Sequence, residues 1–171
     1  MRKLKRSIKR ILILTLSIVF VVGIGWIVTA SLFPPDKEKM EKCFQQDRDD
    51  LNVIADYLSN LEYSYVSIDE SNVESGVMFT GAYTFYQKID DKTVLKSLKR
   101  LLNNKNYTAI GKNGNTVFFE KWNFLQKERG IAVSVNKKEP PSVEFLIKSE
   151  PLSEVGWYYY EADYEEYRNR Y

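Results

Sequence analysis

The sequence predicts an α+β fold: a transmembrane helix comes first, then a long amphipathic helix and a mostly antiparallel sheet with a second helix packed on one face. Three observations support this prediction. They are an uncharged apolar run near the amino terminus, two segments with helical apolar spacing, and short alternating segments separated by Gly, Pro and Asn. Helices and hairpins in this order are typical of α+β domains. A chain of 171 residues is long enough for one such domain.

The apolar run follows a strongly basic start. Residues 1–10 contain no acidic residue and six basic ones, which are Arg2, Lys3, Lys5, Arg6, Lys9 and Arg10. Residues 11–33 then carry no charge, and Pro34 and Pro35 end the run. As a helix it would be about 34 Å long, which is sufficient for a hydrocarbon core about 30 Å thick. Trp26 lies near its far end, where an indole ring favours the headgroup region. The pattern predicts a transmembrane helix over residues 11–33.

The distribution of basic residues predicts the orientation of this helix. Six cations precede the apolar run, whereas those that follow it closely are interleaved with acidic residues. We therefore expect a cytoplasmic tail over residues 1–10 and an extracytoplasmic domain over residues 36–171. The formal charge of +2 then divides into +6 inside and, with 19 basic and 23 acidic residues, −4 outside. The overall positive charge therefore does not indicate nucleic-acid binding.

A cleaved secretory signal is the alternative interpretation of the same segment. A basic start and an apolar stretch are common to both, and Val28-Thr29-Ala30 fits a cleavage site, so that a secreted product would begin after Ala30. The apolar core of a signal is about 7–15 residues long, and the longer run here favours a retained anchor. Both interpretations place the following domain outside the membrane.

Residues 36–61 are predicted to form the long amphipathic helix, with Asp36 as its N-cap. Asp47 interrupts an apolar stripe with spacings of four and three residues. The apolar members of the stripe are Met40, Phe44, Leu51, Ile54, Leu58 and Leu61. We expect the stripe to pack on the domain's own sheet. The alternative is a weak homodimer, in which two chains pair through residues 40–61 as a short coiled coil.

The elements after this helix are shorter. Residues 63–69 alternate as in a strand, and residues 77–79 and 82–86 are predicted as two short strands. A second helix begins after Asp90 or Asp91, either of which can cap it. Its apolar face consists of Val94, Leu95, Leu98, Leu101 and Leu102.

The carboxyl-terminal half is predicted to consist of strands separated by tight turns. Residues 107–110 and 116–122 form a hairpin around residues 111–114, Gly-Lys-Asn-Gly, whose Asn-Gly pair supplies the positive φ angles that the turn needs. A short helix ends the chain. Further strands are expected at residues 131–135, 143–148 and 157–161.

Four segments of this half suggest a relationship to other proteins. They are Gly-Ile-Ala-Val-Ser-Val at 130–135, the Pro140-Pro141 break, Glu150-Pro151-Leu152, and Trp-Tyr-Tyr-Tyr-Glu at 157–161. With these motifs the carboxyl half resembles uncharacterised small proteins of Gram-positive bacteria that are anchored by a single membrane span. The motifs are typical of packing, so the resemblance implies no activity. It implies the surface of a bacterial cell as the setting.

The composition excludes several chemistries. The chain has no histidine and a single cysteine, Cys43, which excludes His-dependent triads, zinc sites with histidine ligands and an internal disulfide. The eight glycines form no phosphate-binding motif, and the acidic residues within 47–50 lack the spacing of a calcium loop. We therefore expect no metal, no cofactor, no nucleic-acid partner and no enzymatic activity.

The terminal segment, residues 157–171, is the candidate partner surface because it contains seven aromatic rings and four acidic residues. Alternate residues of a strand point to opposite faces. Trp157 and Tyr159 are therefore expected to enter the core, and Tyr158 and Tyr160 to lie on the other face. The candidate residues are Tyr158, Tyr160, Glu161, Tyr164, Glu165 and Tyr167.

Together these features predict a non-enzymatic, membrane-anchored surface protein that binds an envelope protein, a peptide or a wall polymer. Tethering would raise the concentration of the domain near its partner. Two alternatives stay open: a cell-envelope hydrolase that uses paired carboxylates, and an immunity or inhibitor protein. A pocket with two converging acids would favour the hydrolase, and a flat or grooved apolar patch would favour the binding protein.

Overall fold

The computed structural model describes residues 33–81, 85–136 and 139–170. The predicted basic tail, Trp26 and nearly all of the predicted transmembrane helix lie outside the described residues. Among the helices of the described part, none has the length and apolar character needed to span a bilayer. The α+β domain lies within one compact unit, Pro35–Tyr171.

The predicted α+β class is confirmed. Helices in the described residues are α1 (Lys37–Ser59), α2 (Glu70–Glu74), α3 (Lys92–Lys99) and α4 (Tyr164–Asn169), and a π-helical turn, Arg100–Asn104, continues α3. The strands are β1 (Tyr65–Ile68), β2 (Val77–Thr80), β3 (Phe85–Lys88), β4 (Ala109–Asn113), β5 (Thr116–Phe124), β6 (Lys127–Ser134), β7 (Leu146–Pro151) and β8 (Trp157–Asp163). Within the described ranges these eight strands form one antiparallel sheet in the order β3-β2-β1-β4-β5-β6-β8-β7.

Helix α1 covers one face of this sheet. It begins where predicted, because the Asp36 side chain accepts a hydrogen bond from the Lys39 backbone N–H at 2.9 Å. Its apolar stripe is fully buried from Met40 to Leu58. The Phe44 ring lies 5.0 Å from that of Trp157 on β8. The stripe therefore packs on the domain's own sheet, and the homodimer through residues 40–61 would need the same side chains at the surface.

Asp47, the polar member of the stripe, is also buried. The Tyr107 hydroxyl donates a hydrogen bond to Asp47 Oδ2 at 3.2 Å, and Lys105 Nζ lies 3.1 Å from Oδ1. Burial, followed by the Asp47 charge, raises the pKa of Tyr107, so this hydroxyl stays protonated and able to donate. The buried Asp47 carboxylate thus has two partners, which offset the free-energy cost of removing its charge from water.

The predicted hairpin exists, but the predicted turn is wrong. Asn113 pairs with Thr116, so the turn residues are Gly114 and Asn115, and Gly114 has a φ of 55°. Gly111 lies inside β4, where a Cβ atom would come within 2.5 Å of the Val66 carbonyl oxygen on β1. Gly111 therefore lies in the strand because it permits the close approach of β1, and it is not a turn residue.

Other boundaries differ from the sequence prediction by a few residues. Helix α2 was not predicted; its N-cap is Asp69, whose side chain accepts from the Asn72 N–H at 2.9 Å. Of the two candidate caps for the second helix, Asp91 is the one that the structure uses. Strand β7 begins at Leu146, three residues later than expected. The predicted strand over 82–86 falls partly on residues outside the described ranges, and its described part belongs to β3.

Candidate functional site

A groove with a volume of ≈ 590 Å³ lies on the face of the sheet opposite α1. The alternation along β5 defines this face. Phe119 points to the α1 side, where its ring lies 5.8 Å from that of Trp157. Phe118 points to the opposite side, where its ring lies 5.1 Å from that of Tyr160. A groove of this size is within the range of pockets that hold small ligands.

Small side chains form the floor of the groove. Ser67 on β1 pairs with Gly111 on β4, and Gly111 pairs with Phe118 on β5. Ala109, two residues before Gly111, lies on the same face and pairs with Glu120. Because none of these three small residues projects more than two heavy atoms beyond Cα, the sheet is accessible between the larger side chains of its neighbours.

Aromatic rings form one wall. The Phe118 ring contacts those of Tyr160 at 5.1 Å and Phe145 at 5.7 Å. Phe145 stacks on Tyr164, the first residue of α4, with ring centroids 5.0 Å apart and planes inclined by 27°. Tyr65 and Tyr167 complete the aromatic lining. These rings give the groove an apolar surface that is fixed by contacts within the domain.

Two carboxyl groups converge in the groove from adjacent strands. Glu120 on β5 pairs with Gly130 on β6, and Glu128 lies two residues before Gly130, on the same face. The side chains of Glu120 and Glu128 are in hydrogen-bond contact. The Thr108 hydroxyl donates to Glu120 Oε1, and the Tyr164 hydroxyl donates to Glu128 Oε2 at 3.0 Å. Each carboxyl group thus has a hydroxyl that fixes its position.

The environment of Glu128 favours its neutral form. Burial, followed by the negative charge of Glu120, raises the pKa of Glu128 to about 8. The pair therefore retains a proton at neutral pH. Among the described residues no lysine or arginine forms an ion pair with either carboxyl group. Lys112 lines the groove, but its Nζ donates to the Leu61 carbonyl at 2.6 Å.

The Tyr160 hydroxyl lies beside this pair. The side chain is 1% exposed, and its hydroxyl oxygen has no hydrogen-bond partner in the described part of the chain. Burial, followed by the charges of Glu128 and Glu120, raises its pKa well above the ordinary value of a tyrosine. A buried hydroxyl without a partner is uncommon, because leaving it unpaired costs about 1–3 kcal/mol.

The structure brings three of the six candidate residues into the groove: Tyr160, Tyr164 and Tyr167. Tyr158 lies half-buried on β8 and does not line it. Glu161 points to the α1 side, where it pairs with Arg129 at 2.9 Å and accepts from the Tyr159 hydroxyl at 2.8 Å. Glu165 is exposed on α4. As expected, Trp157 and Tyr159 are buried on the α1 side.

Sequence reasoning did not identify Glu120, Glu128, Phe118 and Phe145 as groove residues. Alternation within β5 could have placed Phe118 and Glu120 on one face. Only the pairing of β5 with β6, and of β6 with β8, brings them next to Glu128 and Tyr160. The described residues contain no group of three or more acidic or cysteine side chains arranged to hold a metal ion. The site therefore offers hydrogen bonds, negative charge and aromatic surface.

No protein-family model, no curated protein and no solved structure matches this chain. The resemblance to anchored proteins of Gram-positive bacteria stays a prediction. The geometry of the groove is therefore the observation that bears on function.

Proposed function

We propose that this chain is a membrane-anchored protein of the cell envelope whose extracytoplasmic domain binds a ligand in the groove opposite α1. The groove is the observation that carries the proposal. Its aromatic wall, floor of small residues and paired carboxyl groups combine an apolar surface with a few converging polar groups, which is the usual composition of a binding site. The chain binds and does not catalyse.

The anchor supports the location of the domain. Six basic residues before an uncharged run of this length favour a single span over residues 11–33, with the amino terminus in the cytoplasm. The domain that follows would then meet envelope proteins, peptides or wall polymers outside the membrane. Anchoring keeps it in a thin layer and so raises its effective concentration toward such partners.

The carboxyl pair favours a second candidate, the hydrolase. In glycosidases the two carboxyl groups are about 5–5.5 Å apart in retaining enzymes and about 6.5–9.5 Å apart in inverting enzymes, which leaves room for the reacting atoms. Glu120 and Glu128 are in hydrogen-bond contact instead. This proximity supports binding over glycoside hydrolysis. If the full chain hydrolysed wall glycan and Glu120→Gln abolished this activity, hydrolysis would become the favoured function.

Photo-crosslinking in living cells tests the binding proposal. The full chain is expressed in a Gram-positive host with p-benzoylphenylalanine at Tyr65, an exposed aromatic residue of the groove, or at Phe85, an exposed aromatic residue outside it. We expect a discrete adduct from position 65 only. It should disappear in Ser67→Trp, because the indole fills the floor. Equal adducts at both positions, or an adduct that persists with Ser67→Trp, would contradict a groove site.

A labelling experiment tests the orientation separately. Cys43 is the single cysteine, so Cys43→Ser provides a background for Glu70→Cys in the domain and Ser7→Cys in the basic tail. A membrane-impermeant maleimide should modify position 70 on intact cells and position 7 only after lysis. The opposite pattern would contradict the orientation. A product released into the medium that begins near Ser31 would contradict the anchor.

A further inference from the structure

We infer that the groove recognises a primary ammonium group on a flexible apolar stem, such as a lysine side chain, held by the carboxyl groups of Glu120 and Glu128 and the hydroxyl oxygen of Tyr160. This inference rests on the proposed binding function and names the chemistry of the ligand. An ammonium group has three donors and no acceptor. The three oxygen-bearing side chains present a matching set of acceptors.

The carboxyl pair leaves negative charge unbalanced in the groove. Glu120 and Glu128 bring two acidic groups together in a partly buried site, and the described residues supply no cation to either of them. By contrast, Asp163 on the neighbouring strand β8 has a cationic partner, Lys127 on β6, at 3.1 Å. A buried carboxylate normally has such a partner. An incoming ammonium group supplies the charge that the domain lacks.

The Tyr160 hydroxyl points independently to a ligand that donates a hydrogen bond. Its oxygen is buried without a partner among the described residues, and the charges of Glu128 and Glu120 act on it. The side chain cannot turn away, because its ring is packed against Phe118 and Gly130. A ligand donor bound at the carboxyl pair would satisfy this orphaned oxygen, which gives its unpaired state a functional reason.

The aromatic wall suits the rest of such a ligand. Phe118, Phe145 and Tyr164 offer ring surface to an alkyl stem, and ring faces attract ammonium groups. Mg²⁺ and Ca²⁺ fit less well, because they prefer six or more oxygen ligands and only two carboxyl groups of the described residues, those of Glu120 and Glu128, converge at this point of the groove. A neutral polyol would leave the proton of the carboxyl pair in place.

Binding is therefore coupled to a proton. The titratable groups that face Glu128 are the Glu120 carboxyl and the hydroxyls of Tyr160 and Tyr164; Tyr65, Lys112, Glu144 and Tyr167 lie farther along the groove. Since the pKa of Glu128 is about 8, this residue is mostly neutral at pH 7. An ammonium ligand favours its ionised form, so binding should release about one proton per ligand.

Titration calorimetry on the full chain in detergent micelles measures this directly. The probes are Nα-acetyl-lysine amide, 1,5-diaminopentane and the neutral isostere Nα-acetyl-norleucine amide, each in phosphate and in imidazole buffer at pH 7, neither of which contains a primary amine. We expect the norleucine probe to bind at least about tenfold more weakly than the lysine probe. The difference in heat between the two buffers should correspond to release of about one proton. Affinity should rise with pH up to about 8 and then level off.

Two variants and a matched control locate the effect. Glu128→Gln should weaken binding of the lysine probe by about 10- to 100-fold and abolish proton release. Tyr160→Phe should weaken it by about 2- to 10-fold, because one acceptor is lost and the ring stays. Glu62→Gln, which removes one exposed carboxylate outside the groove, should change neither quantity. Near-ultraviolet circular dichroism checks that each variant is folded.

The outcomes separate this inference from the proposed function. Equal binding of the lysine and norleucine probes, without proton release, would overturn the ammonium inference and leave the groove as a binding site. If no probe binds but crosslinking from Tyr65 is intact, the ammonium inference is also overturned and the groove remains a binding site. Absence of groove-specific crosslinking would overturn the proposed function. Tighter binding of the lysine probe than of diaminopentane identifies a peptide side chain as the source of the ammonium group, and the opposite order a free amine; both support the inference.

Discussion

The ring of Tyr160 packs against Gly130 on the neighbouring strand, so closely that a Cβ atom on Gly130 would lie 2.9 Å from Tyr160 Cε1. The same Cβ atom would collide with the Phe119 carbonyl oxygen. Gly130 therefore has no space for a side chain, and the Tyr160 ring occupies this position, where it contacts Phe118 edge-on at 5.1 Å. The backbone at Gly130 and the aromatic wall of the groove are therefore in direct contact.

We expect Gly130→Ala to lower the free energy of unfolding by about 1–3 kcal/mol, because the added methyl group must displace the ring or the strand. Urea denaturation of the full chain in mild detergent, followed by near-ultraviolet circular dichroism, measures the loss. Gly114→Ala is the control, since no atom of the described residues lies within 4 Å of its Cβ position and the strain comes from its positive φ. A smaller loss in Gly130→Ala than in the control would show that the contact is absent.

The buried pair of Asp47 and Tyr107 predicts a second effect on stability. Tyr107→Phe removes the hydroxyl that donates to Asp47 at 3.2 Å and leaves a buried carboxylate with one partner fewer. We expect a loss of about 1–3 kcal/mol in the free energy of unfolding. Tyr63→Phe, at a residue that is 38% exposed, makes the same chemical change at the surface and should have little effect. Equal losses in the two variants would contradict the role of Asp47.

Glu128 predicts how stability depends on pH. Its pKa is about 8 in the folded chain and near the ordinary 4.5 in the unfolded chain. Between these values the folded state binds more protons than the unfolded state, so the contribution of this group to stability is complete below about pH 4.5 and is lost as pH rises through about 8. The denaturation midpoint of the wild type should fall over this window relative to Glu128→Gln. Parallel pH profiles for the two chains would contradict the raised pKa.

The fold was predictable where local signals agree with the tertiary structure. The spacing of Met40, Phe44 and Leu58 gives helix α1 and its buried face, and Asp36 and Asp91 mark two helix starts. The position of the Gly114 turn was not predictable to one residue. Gly111-Lys112-Asn113-Gly114 contains two glycines, and only the approach of Val66 from β1 decides which of them lies in the strand.

The site was predictable only in part. Alternation along β8 places Tyr160 opposite Trp157, but the same rule places Glu161 on the α1 side, away from the groove. Glu120 and Glu128 carry no local signal of their proximity. Their contact depends on the register of β5 with β6 and on the irregularity after Glu120, which are set by the packing of the whole sheet.

The carboxyl pair of Glu120 and Glu128 is the central feature of the groove, and the titration of Glu128 measures it directly. The full chain is labelled with ¹³C at glutamate carboxyl carbons, and the resonance of Glu128 is assigned by its absence in Glu128→Gln. We expect its chemical shift to titrate with a midpoint near pH 8 in the wild type. In Glu120→Gln the midpoint should be lower, because the neighbouring negative charge is gone. A wild-type midpoint near 4.5 would mean that the carboxyl group is solvated and separate from Glu120, and it would contradict the account.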